Sequence, residues 1–140
     1  MENKDKILRF IKNQKLMVIS TLNKNNYPES ALVGFSENAD LEVIFGIFND
    51  TRKYLNLEGN KNVSLVIGFD INEKITIQYE GIANEVKGKE LEQCKKIHID
   101  KLENEEYVNN SKEKIFKIIP KWIRYSDLSK EPEEIFEISF

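Results

Sequence analysis

A chain of 140 residues with 40% hydrophobic and 32% charged residues suits one domain around one core. Its net charge of −3 gives no general attraction to nucleic acid or to acidic membrane surfaces, and no apolar run approaches the length of a membrane span. A single cysteine, Cys94, excludes an internal disulfide; with no secretion-signal pattern before the first short apolar set, it points to a cytoplasmic protein.

Lys4 to Lys12 reads as a short helix with Ile7, Leu8, Phe10 and Ile11 on one side, Asn3 as its cap, and an apolar face that must rest on the rest of the fold. Leu16 to Leu22 is an apolar strand placed centrally. The turn Asn23-Lys24-Asn25-Asn26 then leads into a second strand, Tyr27 to Phe35, with Pro28 near its start where a missing donor does least harm. After a polar turn, Leu41 to Phe48 is a third strand, and the spacing predicts that the three form an antiparallel meander.

Asn49-Asp50 breaks that strand, and a helical pattern with Tyr54, Leu55 and Leu57 follows. Asp50 or Thr51 can cap it, and Gly59 is placed where a left-handed residue closes a helix. A helix N-terminus carrying the Thr51 hydroxyl and the cations of Arg52 and Lys53 suits a phosphate, although the same residues also describe an ordinary capped surface helix.

Asn62 to Phe69 and Lys74 to Val86 are the next strands. The second alternates cleanly, with Ile75, Ile77 and Tyr79 against Thr76, Gln78 and Glu80, until Gly81 signals a bulge or a close backbone approach. Gly88 to His98 reads as a helix, Ile99 to Ser111 as polar chain with some helix, and Lys114 to Ile119 as a strand ended by Pro120. Trp122 to Ser126 is short, aromatic and basic, and Ile135 to Phe140 can add a last strand. The expected class is mainly β or α+β: a barrel of six to seven antiparallel strands with two or three short helices.

Metal and hydrolytic chemistry find little support. Cys94 and His98 are four apart, but two ligands with no further Cys or His make a poor metal site, and a partly buried thiol beside a surface histidine is the simpler expectation. There is no nucleophile elbow, Walker loop or dinucleotide fingerprint.

The segment Thr51-x-Lys53-x-x-x-Leu57-x-x-Asn60 resembles the phosphate-binding segment of the pyridoxamine 5'-phosphate oxidase-like family, the FMN-binding split β-barrels. Further similarity runs from Ile7 to Asp127: the opening hairpin with Tyr27-Pro28, Asn62-Val63-Ser64-Leu65, Ile75 to Gly81, and Pro120 to Asp127. The resemblance implies a split-barrel homodimer with FMN at the subunit interface. Bound FMN would draw phosphate contacts from Thr51, Arg52 and Lys53, a carboxamide at Gln78 for the pyrimidine edge of the ring, and walls or polar contacts from Trp122, Tyr125 and Arg124. By spacing alone Gln78 reads as an ordinary solvent-facing residue, and Trp122, Tyr125 and Arg124 equally describe barrel-edge packing with a cation resting on an aromatic ring. Ser30, Ala31, Leu32 and Val33 would run beside the ring.

The departures are equally informative. Ala31 stands where true pyridoxamine phosphate oxidases carry an Arg, Ile75-Thr76 replaces their Arg-Gln, and no C-terminal Arg-x-His pair is present. The implied activity is therefore flavin-dependent redox chemistry on a small substrate, or on NAD(P)H, other than pyridoxamine phosphate oxidation. The alternatives are non-catalytic binding or storage of flavin, haem or a deazaflavin on the same scaffold, or a dimeric scaffold that has lost its ligand.

Overall fold

The computed structural model describes residues 1–140. Four helices and eight strands follow in the order α1 (Asn3–Lys12), β1 (Leu16–Leu22), β2 (Pro28–Gly34), β3 (Ser36–Glu37), β4 (Val43–Phe48), α2 (Arg52–Gly59), β5 (Asn62–Ile67), β6 (Ile75–Glu85), α3 (Gly88–Leu102), α4 (Glu105–Val108), β7 (Glu113–Asp127) and β8 (Glu134–Ser139). The strands form one antiparallel sheet in the order β2-β1-β5-β6-β7-β4-β3, with β8 also on β7. This is an α+β split barrel.

The expected three-strand meander does not form. β1 and β2 make the hairpin over the full register from Leu16↔Gly34 to Leu22↔Pro28, but β4 pairs with β7 and not with β2. The chain leaves β2 at Phe35, whose amide donates to the Lys15 carbonyl, and starts a new hairpin, β3–β4. The Asn38 side chain closes that hairpin by accepting from the amides of Asp40 and Glu42, an Asx turn. The missing β2–β4 ladder is the split in the barrel.

Pro120 does not end a strand. β7 runs through it for 15 residues, with β4 on residues 113–118 of one edge and β8 on residues 122–127 of the same edge. The proline lies where that edge changes partner, so its missing N–H removes no bond from either ladder. On the other edge Pro120 faces Gly81, and the β6–β7 register shifts between Glu80 and Gly81. The bulge expected at Gly81 is therefore present. A Cβ there would sit 2.5 Å from the Ile119 carbonyl oxygen and 2.7 Å from Ile118 Cγ2. Gly59, by contrast, does not take a left-handed conformation; α2 ends into extended Asn60, whose amide donates to the Asn56 carbonyl.

Alternation along the strands separates two faces. Met17, Ile19, Val63, Leu65, Ile67, Ile77, Tyr79 and Ile123 point into the barrel, and α1 closes one end with Ile7, Phe10 and Ile11. Tyr79 crosses the core, its hydroxyl 2.7 Å from the Leu41 carbonyl and 3.1 Å from that of Ile118. A smaller apolar cluster of Ile44, Val86, Cys94, Val108 and Ile115 lies outside the barrel wall, where α3 and α4 cover β4 and β7.

Candidate functional site

α2 begins as its residue types require. Thr51 is the cap: its Oγ1 accepts from the Tyr54 amide at 3.4 Å and donates to the Phe48 carbonyl at 2.9 Å. Asp50 is not the cap and pairs instead with Lys112 at 3.1 Å. With both roles of the Thr51 hydroxyl used locally, the groups left at this helix start are the first-turn amides and the side chain of Lys53.

Lys53 faces a cavity of about 500 Å³ at the split of the barrel, a size suited to a small-molecule ligand. β2 contributes Leu32, Val33 and Gly34 to one wall, and β4 contributes Gly46, Ile47 and Phe48 to the other, with Thr51 and Lys53 beside them. His98 and Leu102 of α3, followed by Asn104 and Tyr107, form the remaining wall with Glu113 at the start of β7. An apolar slot with a cation at a helix N-terminus suits a planar group carrying an anionic tail.

Sequence reasoning missed the deeper part of this cavity. Glu113 lies across Gly46, so closely that a Cβ on Gly46 would collide with Glu113 Oε1. Burial pushes the Glu113 carboxyl up to about 7, and it has no ion-pair partner. His98 is 2% exposed rather than on the surface, because α3 lies flat on the outer wall and turns it inward. Its Nδ1 is 2.7 Å from Ser36 Oγ. Burial, together with the nearby Lys101 cation, pulls the imidazole down to about 4, so it is neutral near pH 7. Asn104 Oδ1 is sealed from water and has no partner. Gly46, which faces Ile115 near the start of β7, was the one sequence signal that could have drawn attention to this corner.

The α3 wall is anchored by Lys101. Its Nζ donates to Glu37 Oε2 at 2.9 Å, to Glu37 Oε1 at 3.1 Å and to the Ile11 carbonyl at 3.1 Å, and lies 4.1 Å from the centre of the Phe35 ring. One side chain thereby ties α3 to β3 and α1. Burial lowers its pKa despite the Glu37 carboxylate.

The other expected contacts lie outside the cavity. Arg52 points away, pairing with Glu29 at 3.5 Å beside a separate surface hollow. Ser30 meets Ser20 at 2.8 Å across the β1–β2 ladder, and Ala31 lies on the opposite side of β2 from Ser30 and Leu32. Gln78 and Arg124 are cross-strand partners on the outer sheet face, where Arg124 pairs with Glu137 at 3.3 Å; Trp122 is in the next row, opposite Glu80. These residues belong to one open face whose rows run Leu32–Val18–Val66–Gln78–Arg124 and Ser30–Ser20–Ser64–Glu80–Trp122. Leu32 (60% exposed) and Val66 (37%) give that face apolar character, and Leu32 belongs to both the face and the cavity rim. No group of three or more His, Cys, Asp or Glu side chains gathers in a way that would hold a metal, and no helix is long and apolar enough to cross a membrane.

A family model described as pyridoxamine 5'-phosphate oxidase matches residues 4–127. The chain belongs to this family. Among solved structures it is similar to General Stress Protein 26 from Bacillus anthracis, with a TM-score of 0.74, 24% identity, and 99% of this chain and 100% of that one covered. It is similar to a haem-binding protein from Mycobacterium smegmatis, with a TM-score of 0.84 and 14% identity over 99% of this chain, which spans 59% of that protein's length. It also matches HutZ, the haem storage protein from Vibrio cholerae, with a TM-score of 0.72, 18% identity, and 86% and 92% coverage. At these identities the structural likeness establishes the split barrel alone. No curated protein matches the sequence. Two of these neighbours are named for haem and the third names no ligand, so the donor set in the cavity must carry the functional argument.

Proposed function

We propose that this protein binds FMN non-covalently in the cavity at the barrel split and acts as an oxidoreductase on a small substrate. The observation that carries the reading is the convergence of Lys53 and the start of α2 on a slot walled by Leu32, Val33, Ile47 and Phe48. Lys53 and the first-turn amides would hold the phosphate, and the slot would exclude water from one side of the ring. The chemistry such a group supplies is two-electron transfer, with NADH or NADPH as the accessible reductant. The chain's own part is positional: it binds the tail, clamps the plane and surrounds it with neutral groups, including His98.

The open sheet face supports a homodimer. A second copy seated on the rows of Leu32, Val66, Gln78 and Arg124 would cover exposed apolar surface and close the cavity rim at Leu32.

Titration with FMN, followed by quenching of flavin fluorescence, tests the site. The wild-type chain is expected to bind, and Lys53→Ala to weaken binding roughly ten- to hundred-fold, the loss of one charge-assisted contact. No binding by the wild type, or equal binding by the variant, would refute the reading. One observation favours haem as a second reading: His98 lines the cavity with its Nδ1 already held by Ser36, leaving its other ring nitrogen for iron. A Soret band on haemin addition that disappears in His98→Ala would select it over FMN.

A further inference from the structure

The deep end of the cavity contains two polar groups that the fold itself does not use. Asn104 lines the cavity, and its Oδ1 is buried without a hydrogen-bond partner. Leaving such a group without a partner costs about 1–3 kcal/mol, and a turn of the carboxamide toward the cavity would let a ligand supply the missing bond. Glu113 is the second. It lies over Gly46, the one position on β4 where the absence of a side chain makes room for a carboxyl group against the strand. Nothing in the chain forms an ion pair with it, and burial alone sets its protonation, with a carboxyl pushed up to about 7.

We propose that Glu113 and Asn104 are specificity-determining residues that bind the N–H and C=O groups along one edge of a planar nitrogen heterocycle whose anionic tail lies at Lys53. A neutral carboxyl donates from O–H and accepts at C=O, and a carboxamide does the same, so the two together match alternating carbonyl and imide groups such as the pyrimidine edge of an isoalloxazine. The proposal rests on the FMN reading and moves the ring-edge role from Gln78, which lies on the outer face, to the cavity itself. Gly46 acts through Glu113 and is a positioning residue. The titratable groups around Glu113 are Lys53 from α2, His98 from α3 and Tyr107 from α4 across the cavity, and Glu85, Lys87, Lys95 and Lys114 around the adjoining hollow that Glu113 also lines; β2 and β4 present none.

The test is flavin-fluorescence titration with FMN and with riboflavin, which has no phosphate to titrate, at pH 6 and pH 8.5. Wild-type affinity for riboflavin is expected to fall about ten-fold between the two, as the carboxyl loses its proton and with it one donor. Glu113→Gln, which keeps a donor and an acceptor at the same place, should bind at both pH values with no such fall. Glu113→Ala should bind both flavins about ten-fold more weakly at pH 6 and also lose the pH dependence. Gly46→Ala should reproduce Glu113→Ala, and adding it to Glu113→Ala should change nothing further. Lys53→Ala should weaken FMN binding and leave riboflavin unaffected. Equal riboflavin affinity in wild type and Glu113→Ala, or a wild-type pH profile shared by Glu113→Gln, would overturn the assignment. If FMN binds and responds to Lys53 while ignoring Glu113, only this inference fails; if neither flavin binds the wild type at either pH, the FMN reading fails with it.

Discussion

Replacing Lys101 with Met removes the cation that holds the α3 wall of the cavity to β3 and α1. The Lys101 side chain is 14% exposed and that of Glu37 is 5% exposed, so the pair is nearly desolvated. Removing one partner leaves the Glu37 carboxylate buried without compensation and takes from the Ile11 carbonyl one of its donors, leaving it the Gln14 amide. Breaking a buried pair of this kind costs about 3–5 kcal/mol; the residual exposure of Lys101 places this one near 3 kcal/mol. For a chain of this length that corresponds to a fall of roughly 10 °C in Tm. The double variant Lys101→Met/Glu37→Leu also removes the stranded charge and replaces the pair with apolar bulk beside Phe35, so it should return to within about 1 kcal/mol of wild type. Urea denaturation of wild type, Lys101→Met, Glu37→Leu and the double variant at pH 7 gives the cycle directly. A single variant as stable as wild type, or a double variant as unstable as the single, would show that the pair is not the anchor described.

Glu113 makes stability depend on pH. Its folded carboxyl titrates near 7, above the unfolded value of 4.5, so its contribution is fully present below pH 4.5 and is lost as pH rises through 7. Glu113→Gln should therefore match wild type at pH 5 and exceed it at pH 8 by about 1 kcal/mol, discounted for partial exposure, in thermal melts at the two pH values. Gly81→Ala should lower stability by about 1–3 kcal/mol in chemical denaturation, since the Ile119 carbonyl that a Cβ would meet is backbone and yields little. Arg52→Ala should leave FMN affinity nearly unchanged in the same titration that exposes Lys53, because Arg52 pairs with Glu29 on the far side of the helix start.

Local chemistry was legible in the chain. Thr51 caps α2 because a short β-positioned hydroxyl accepts from its first turn; β6 alternates because it divides core from solvent; Gly81 marks a bulge because no side chain fits there. Pairings between distant segments were not. β4 has the apolar run of a strand, but nothing in residues 43–48 states that its partner lies some seventy residues later in β7. Pro120 ends strands by the usual rule and fails to do so here only because β4 and β8 divide the edge around it. The inner half of the cavity was hidden for the same reason. Glu113, His98 and Asn104 look like surface polar residues in sequence and become cavity lining only when α3 and α4 fold over β4 and β7. Of the outer-face residues, Gln78 is legible as a strand position, whereas Trp122 and Arg124 lie beyond the strand end that Pro120 suggested; the distance of all three from the cavity depends on the sheet order.

The central claim is tested most directly by stoichiometry. The protein is incubated with excess FMN, passed through a desalting column, and its absorbance compared in the flavin and protein bands. The account predicts retained flavin approaching one FMN per chain, and much less with Lys53→Ala. A colourless wild-type fraction would contradict it.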